Sequence, residues 1–192
     1  NFIINPDIHT SRWFENEKKH SAVNPQQSTY NWGSVEMISW KTFKGKNTRG
    51  LLYKPEDFDP NRKYPMIVYF YEKLTDNLFN YHPPAPTPSR LNIPFFVSRG
   101  YLVFTPDISY EIGYPGPSAY DHIVSGVNFL KKNAWVDSTN IGFQGQSWGG
   151  YQALYLITQT NQFKAAWTGA PVVNMFSAYG GIRWESGRNR QM

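Results

Sequence analysis

The chain has 192 residues, enough for one ordinary domain with a core, and its 40% hydrophobic and 17% aromatic content argues against disorder. Its 19 Lys and Arg against 14 Asp and Glu give a net charge of +5, but apart from short clusters such as Lys18-Lys19 and Arg188 to Arg190 the positive residues are scattered, so no basic stripe suited to nucleic acid forms. Zero cysteines exclude disulfides and thiolate metal sites and fit either a cytosolic or a bacterial envelope compartment, and the longest apolar runs, residues 66–71 and 93–97, are far shorter than the roughly 20 residues that span a bilayer.

The sequence opens on Asn1 with no charged-then-apolar leader, and both ends read as cuts in a longer product. Residues 1–28 are polar and mixed, ending in Asn24-Pro25-Gln26-Gln27-Ser28, which suggests a short strand or two and then a connector. Residues 35–43 and 48–53 are rich in strand formers and flank the turn-forming Lys44-Gly45-Lys46-Asn47, so a β-hairpin is predicted. Residues 65–71 are nearly continuously apolar, as in a strand buried on both faces of a parallel sheet, and residues 101–105 and 140–143 repeat the signal. Between them residues 118–132 place Ile123, Val124, Val127, Phe129 and Leu130 along one helical side, with Lys131 and Lys132 in the last turn. Residues 148–160 carry Tyr151, Leu154, Tyr155 and Ile157 at similar spacing, and residues 164–170 suit one more strand. The alternation of strands and helices after the hairpin predicts an α/β fold with a mostly parallel, doubly wound sheet.

Gly145 to Gly149 spell G-x-S-x-G, with a strand signal before and a helix signal after, the context in which this pattern presents a nucleophile on a tight turn. Glycines two positions either side allow strand and helix to approach, and Gly150 relaxes the packing further. Ser147 would then stand above the carboxyl end of the sheet, and the N–H of Trp148, at the positive end of the next helix, is placed to hold an oxyanion. No phosphate-cradling pattern and no His, Cys or acidic cluster with metal-ligand spacing is present, so neither metal nor cofactor is expected.

The run Asn140-Ile141-Gly142-Phe143-Gln144-Gly145-Gln146-Ser147-Trp148-Gly149-Gly150-Tyr151, followed by Phe163-Lys164 and Gly169-Ala170-Pro171-Val172, closely resembles the prolyl oligopeptidase family of serine peptidases, nearest to its dipeptidyl peptidase IV and acylaminoacyl-peptidase branches. Asn24-Pro25-Gln26, Lys63-Tyr64-Pro65 and the stretch from Gly100-Tyr101 to Pro106-Asp107 extend the likeness over nearly the whole chain. The resemblance implies an α/β-hydrolase fold over residues 29–192, with residues 1–28 a remnant of a β-propeller and linker. It also implies a peptide substrate, with a tyrosine after the Tyr-Pro strand as second oxyanion donor. Tyr71 matches that position and Tyr69 is the alternative, since alternation puts both on one side of the strand; Glu72-Lys73 follow where the family usually has small residues. Trp148 and Val172 match positions that hold the residue before the scissile bond in a flat apolar pocket, although core packing would also explain them.

A serine hydroxyl needs a histidine to take its proton and a carboxylate to orient that histidine, which in α/β-hydrolases follow in the order Ser, Asp or Glu, His. His9, His20, His82 and His122 all precede Ser147, and Glu185 is the only acid after it. The triad acid and histidine are therefore expected beyond Met192, the chain is expected to be inactive alone, and a C-terminal segment or partner chain is expected to complete the sheet. His82 could approach the cleft as a lining residue. Asp107 is expected to shape its loop through backbone N–H groups, and Tyr110, Tyr114 and Pro115-Gly116-Pro117 to form a loop on the cleft side. Arg183 could pair with a substrate carboxylate or near Glu185. Two other readings stand beside the peptidase: a carboxylic-ester hydrolase of the same fold, and a non-catalytic scaffold that binds a partner through an open sheet edge.

Overall fold

A computed structural model describes residues 7–13, 15–83, 85–87, 89–183 and 187–188. Strands β1 (His9–Arg12) and β2 (Glu15–Lys19) form an antiparallel hairpin with no buried residue, as their polar sequences allow, and a 3-10 turn over Pro25–Thr29 follows. The main sheet comprises β3 (Ser34–Lys41), β4 (Asn47–Lys54), β5 (Tyr64–Phe70), β6 (Leu102–Pro106), β7 (Val136–Gln146) and β8 (Ala165–Gly169), in the order β3-β4-β6-β5-β7-β8. The predicted hairpin is β3-β4, paired from Ser34 opposite Lys54 to Lys41 opposite Asn47. β4 runs antiparallel to β6, whereas β6, β5, β7 and β8 are mutually parallel.

Helices α1 (Ile93–Val97), α2 (Pro115–Leu130) and α3 (Trp148–Gln159) link the parallel strands, and α4 (Met175–Gly180) precedes a short β9 (Ile182–Arg183) and β10 (Gly187–Arg188) pair. Alternation along the strands divides the core in two. Met66, Val68, Phe70, Leu102 and Phe104 face α2 and α3, meeting Ile123, Val127, Ala153 and Leu156. Leu51, Tyr53, Tyr69 and Val103 face the other way, toward Leu91, Ile93 and Val97. Helices thus cover both faces, as near-continuous apolar strands require.

Several details depart from the sequence reading. Pro115-Gly116-Pro117 is the first turn of α2, because proline at the start of a helix loses no hydrogen bond and has its φ already set. Lys131 caps the C-terminus of α2 and Lys132 lies beyond it, so neither is in the last turn. Phe129 and Ile157 are exposed. α3 buries Gly149, Gln152, Ala153 and Leu156, a true i, i+3, i+4, i+7 stripe built largely from small and polar residues. β7 is longer than the apolar run 140–143 because its pairing with β5 skips from Val136 to Ile141. The intervening residues close on Asp137, whose carboxylate accepts from the Thr139 N–H at 3.1 Å, the Thr139 hydroxyl at 2.7 Å and the Asn140 amide at 2.7 Å.

Phe104 is fully buried at the centre of the larger core, edge-on to Trp40 with ring centroids 5.4 Å apart. Phe104→Ala should lower the unfolding free energy by about 3–5 kcal/mol, read as a lower urea midpoint at unchanged slope.

Candidate active site

Ser147 joins the end of β7 to the start of α3 with φ 56° and ψ −110°, a conformation that residues with side chains adopt only under strain. Its N–H donates to the Gly169 carbonyl at 2.9 Å, and its own carbonyl accepts from Tyr151 N–H at 3.1 Å, which fixes the turn from both sides. A Cβ on Gly145 would lie 2.1 Å from the Gly149 carbonyl oxygen, and one on Gly149 would lie 2.5 Å from the Phe70 carbonyl oxygen. On Gly150 it would meet Pro171 Cα at 2.9 Å. Alanine at 145 or 149 would therefore collide with backbone, which cannot yield as a flexible side chain can. The N–H of Trp148 belongs to the first turn of α3 and so has no partner within the helix.

Tyr71 lies one residue past β5, across from this turn, and is 39% exposed, whereas Tyr69 belongs to the core at 8%. Its backbone is held from two directions. The Tyr110 hydroxyl donates to the Tyr71 carbonyl at 2.8 Å, and the buried Gln152 amide donates to the same oxygen at 2.7 Å. Trp148 Nε1 then donates to the Tyr110 hydroxyl at 3.0 Å, and Gln152 Nε2 also donates to it. One hydroxyl so links the two residues that sequence reasoning put forward as oxyanion donors. Burial, the largest influence, pushes the Tyr110 phenol well above its ordinary range and keeps it neutral, able to donate and accept at once. The Trp148 ring stacks on Tyr151, with centroids 5.2 Å apart, and meets Tyr110 edge-on at 5.8 Å.

A cavity of about 700 Å³ opens beside Ser147, walled by Tyr69, Tyr71, His82, Arg90 and Leu91 among others. His82 is half-buried, with its ring edge-on to Tyr53 at 6.2 Å. Burial and then the nearby Arg90 cation lower its pKa, which favours the neutral imidazole. Trp148 and Val172 are not among the walls of this cavity; Val172 is half-buried in the loop after β8. His9 and His20 belong to the exposed hairpin, where His9 meets Glu17 at 2.7 Å and His20 meets Thr10 at 2.6 Å. His122 is buried in α2, with Nδ1 2.9 Å from the Ser118 carbonyl.

Asp107 accepts from the N–H groups of Leu74 and Thr75 at 2.7 and 3.0 Å and from the Thr75 hydroxyl at 2.6 Å, tying the loop after β5 to the end of β6. Tyr114 is the exposed residue before α2. The side chain of Arg183, together with Trp184 and Glu185, lies outside the described residues. Sequence reasoning missed Gln152, whose polarity on the buried stripe of α3 was the available signal, and Arg90, which no motif marks.

An open, mostly parallel sheet with a strained serine between the end of β7 and the following helix defines an α/β-hydrolase. The sequence profile of the prolyl oligopeptidase family matches residues 87–189, more than half of the chain, and the chain belongs to that family. Human dipeptidyl peptidase 8 is 30% identical over 150 residues, which cover 71% of this chain and 16% of that protein. Dipeptidyl-peptidase 5 of Porphyromonas gingivalis is 28% identical over 128 residues, 60% of this chain and 18% of that protein. The chain thus spans less than a fifth of either relative's length. The Pyrococcus horikoshii acylaminoacyl peptidase structure superposes with a TM-score of 0.66 at 18% identity, covering 87% of this chain and 28% of the other, and shows the shared fold.

Tyr110→Phe would remove the donor to the Tyr71 carbonyl and leave the Trp148 indole N–H without its acceptor. An unfolding free energy lower by about 1–3 kcal/mol is expected, measured by urea denaturation, with a change in tryptophan emission from the altered setting of Trp148.

Proposed function

We propose that this chain supplies the nucleophile and oxyanion hole of a serine peptidase that cleaves short peptides through an acyl-enzyme on Ser147. The observation that carries the reading is the strained backbone of Ser147, φ 56°, locked between β7 and α3 in a member of a peptidase family. The names of the related proteins, dipeptidyl peptidases 8 and 5, support short peptides as substrates.

In this reading Ser147 Oγ attacks the scissile carbonyl carbon while a general base takes its proton. The resulting oxyanion accepts from the Trp148 N–H and the Tyr71 hydroxyl. Collapse of the tetrahedral intermediate breaks the C–N bond, and the departing amine takes the proton from the base. Water then attacks the ester in the same way and frees Ser147. Histidines 9, 20 and 122 are engaged elsewhere, and His82 comes before the nucleophile in the chain, so the base and its orienting carboxylate are proposed to come from outside residues 1–192. That segment or partner would also add to the sheet beyond β8, whose residues Ala165, Ala166 and Trp167 are exposed.

A fluorophosphonate probe should label Ser147 in the intact protein that carries this chain, while Ser147→Ala and the 192-residue chain alone stay unlabelled. Labelling of the isolated chain would refute the requirement for an external base. Tyr71→Phe should lower kcat on peptide amides by roughly 10²–10³, with KM little changed. Faster release of p-nitrophenol from simple esters than of amine from peptides would favour the esterase alternative.

A further inference from the structure

The wall of the nucleophile's cavity has an unusual charge balance. Tyr53, Tyr69, Tyr71 and His82 make it aromatic, Asn77 and Asn80 add neutral amides, and Arg90 is the one cation among the described wall residues, with no carboxylate among them. Arg90 makes no ion pair with any described acid, although Lys44, Lys54 and Arg62 each find one. Its positive charge is felt at Tyr69 and at His82, which line the same cavity.

Local hydrogen bonds run on both sides of Arg90. Thr87 donates its hydroxyl to the Arg90 carbonyl, and Asn92 both donates to the Ala85 carbonyl and caps α1 by accepting from the Phe95 N–H at 3.0 Å. Arg90 is exposed on the wall of this aromatic cavity, where its planar guanidinium can meet a carboxylate through two parallel N–H···O bonds. His82, held neutral, offers no competing charge.

We propose that Arg90 is a carboxylate anchor in the Ser147 cavity, so that this site selects peptides carrying a negative charge close to the scissile bond. The proposal rests on the peptidase reading of Ser147 and adds a substrate class to it. The carboxylate can come from an Asp or Glu side chain or from the free C-terminus of a short peptide.

The test uses the intact protein and three fluorogenic peptides of equal length: a neutral C-terminal amide, the same amide with Glu beside the scissile bond, and the neutral sequence with a free C-terminus. At least one carboxylate peptide should have a kcat/KM about tenfold or more above the neutral amide, and which one it is names the source. Arg90→Gln should collapse that ratio toward one, chiefly through KM, and Arg90→Glu should turn the preference toward a Lys-bearing peptide. A wild-type ratio near one, or a ratio unchanged in Arg90→Gln, overturns the anchor. If wild type cleaves no peptide, the peptidase reading fails by itself. Fluorescence anisotropy with the same peptides then decides Arg90 separately: tighter binding of a carboxylate peptide to wild type than to Arg90→Gln supports the anchor, and equal binding overturns it.

Discussion

At Ser147 a parallel strand must turn into a helix within one residue, and the surrounding structure is arranged to hold that turn. The left-handed backbone there costs on the order of 1–3 kcal/mol and persists only because its neighbours over-determine it. Gly145 and Gly149 meet almost backbone to backbone, Phe70 of β5 closes in below, and Gly169 of β8 receives the Ser147 N–H. Three adjacent strands and one helix therefore converge on a single peptide. The sheet order places β7 between β5 and β8 so that they can, and the larger core packs against the strand that carries the turn.

The second consequence of that convergence is rigidity across the cleft. Tyr71 follows β5 and Trp148 begins α3, elements that share no backbone hydrogen bond at this point, yet the Tyr110 hydroxyl joins them through side chain and carbonyl. Gln152 strengthens the link from within α3. The network thereby fixes the Tyr71 carbonyl and the Trp148 indole relative to one another.

The sheet and the tight turn at Ser147 were legible in the sequence because both leave strong local marks: apolar runs of strand length at residues 65–71 and 101–105, and glycines at fixed offsets from Ser147. The preference for Tyr71 over Tyr69 came only from family likeness, since alternation alone places both on the same side. The buried face of α3 was misread because size drew attention to Tyr155 and Ile157, whereas a helix lying close against a sheet favours small residues such as Gly149 and Ala153. Asp137 concealed most of β7 by interrupting its hydrophobic pattern at a bulge. The roles of Tyr110, Gln152 and Arg90 depend on contacts across some 38 to 81 residues of chain, or on a cavity that exists only once the sheet has formed, so no local window contains them.

The loop between β5 and α1 is fastened at two points: the grip of Asp107 on Leu74 and Thr75, and the Asn92 cap at the start of α1. Between these anchors run Asn77, Asn80, His82 and Arg90, all on the cavity wall, while Tyr71 lies outside the fastened span. Neither anchor draws on the hydrogen bonds that hold the Ser147 turn. A substitution at Asn77, Asn80 or Arg90 therefore changes the cavity wall without touching the hydrogen bonds that hold the Ser147 turn.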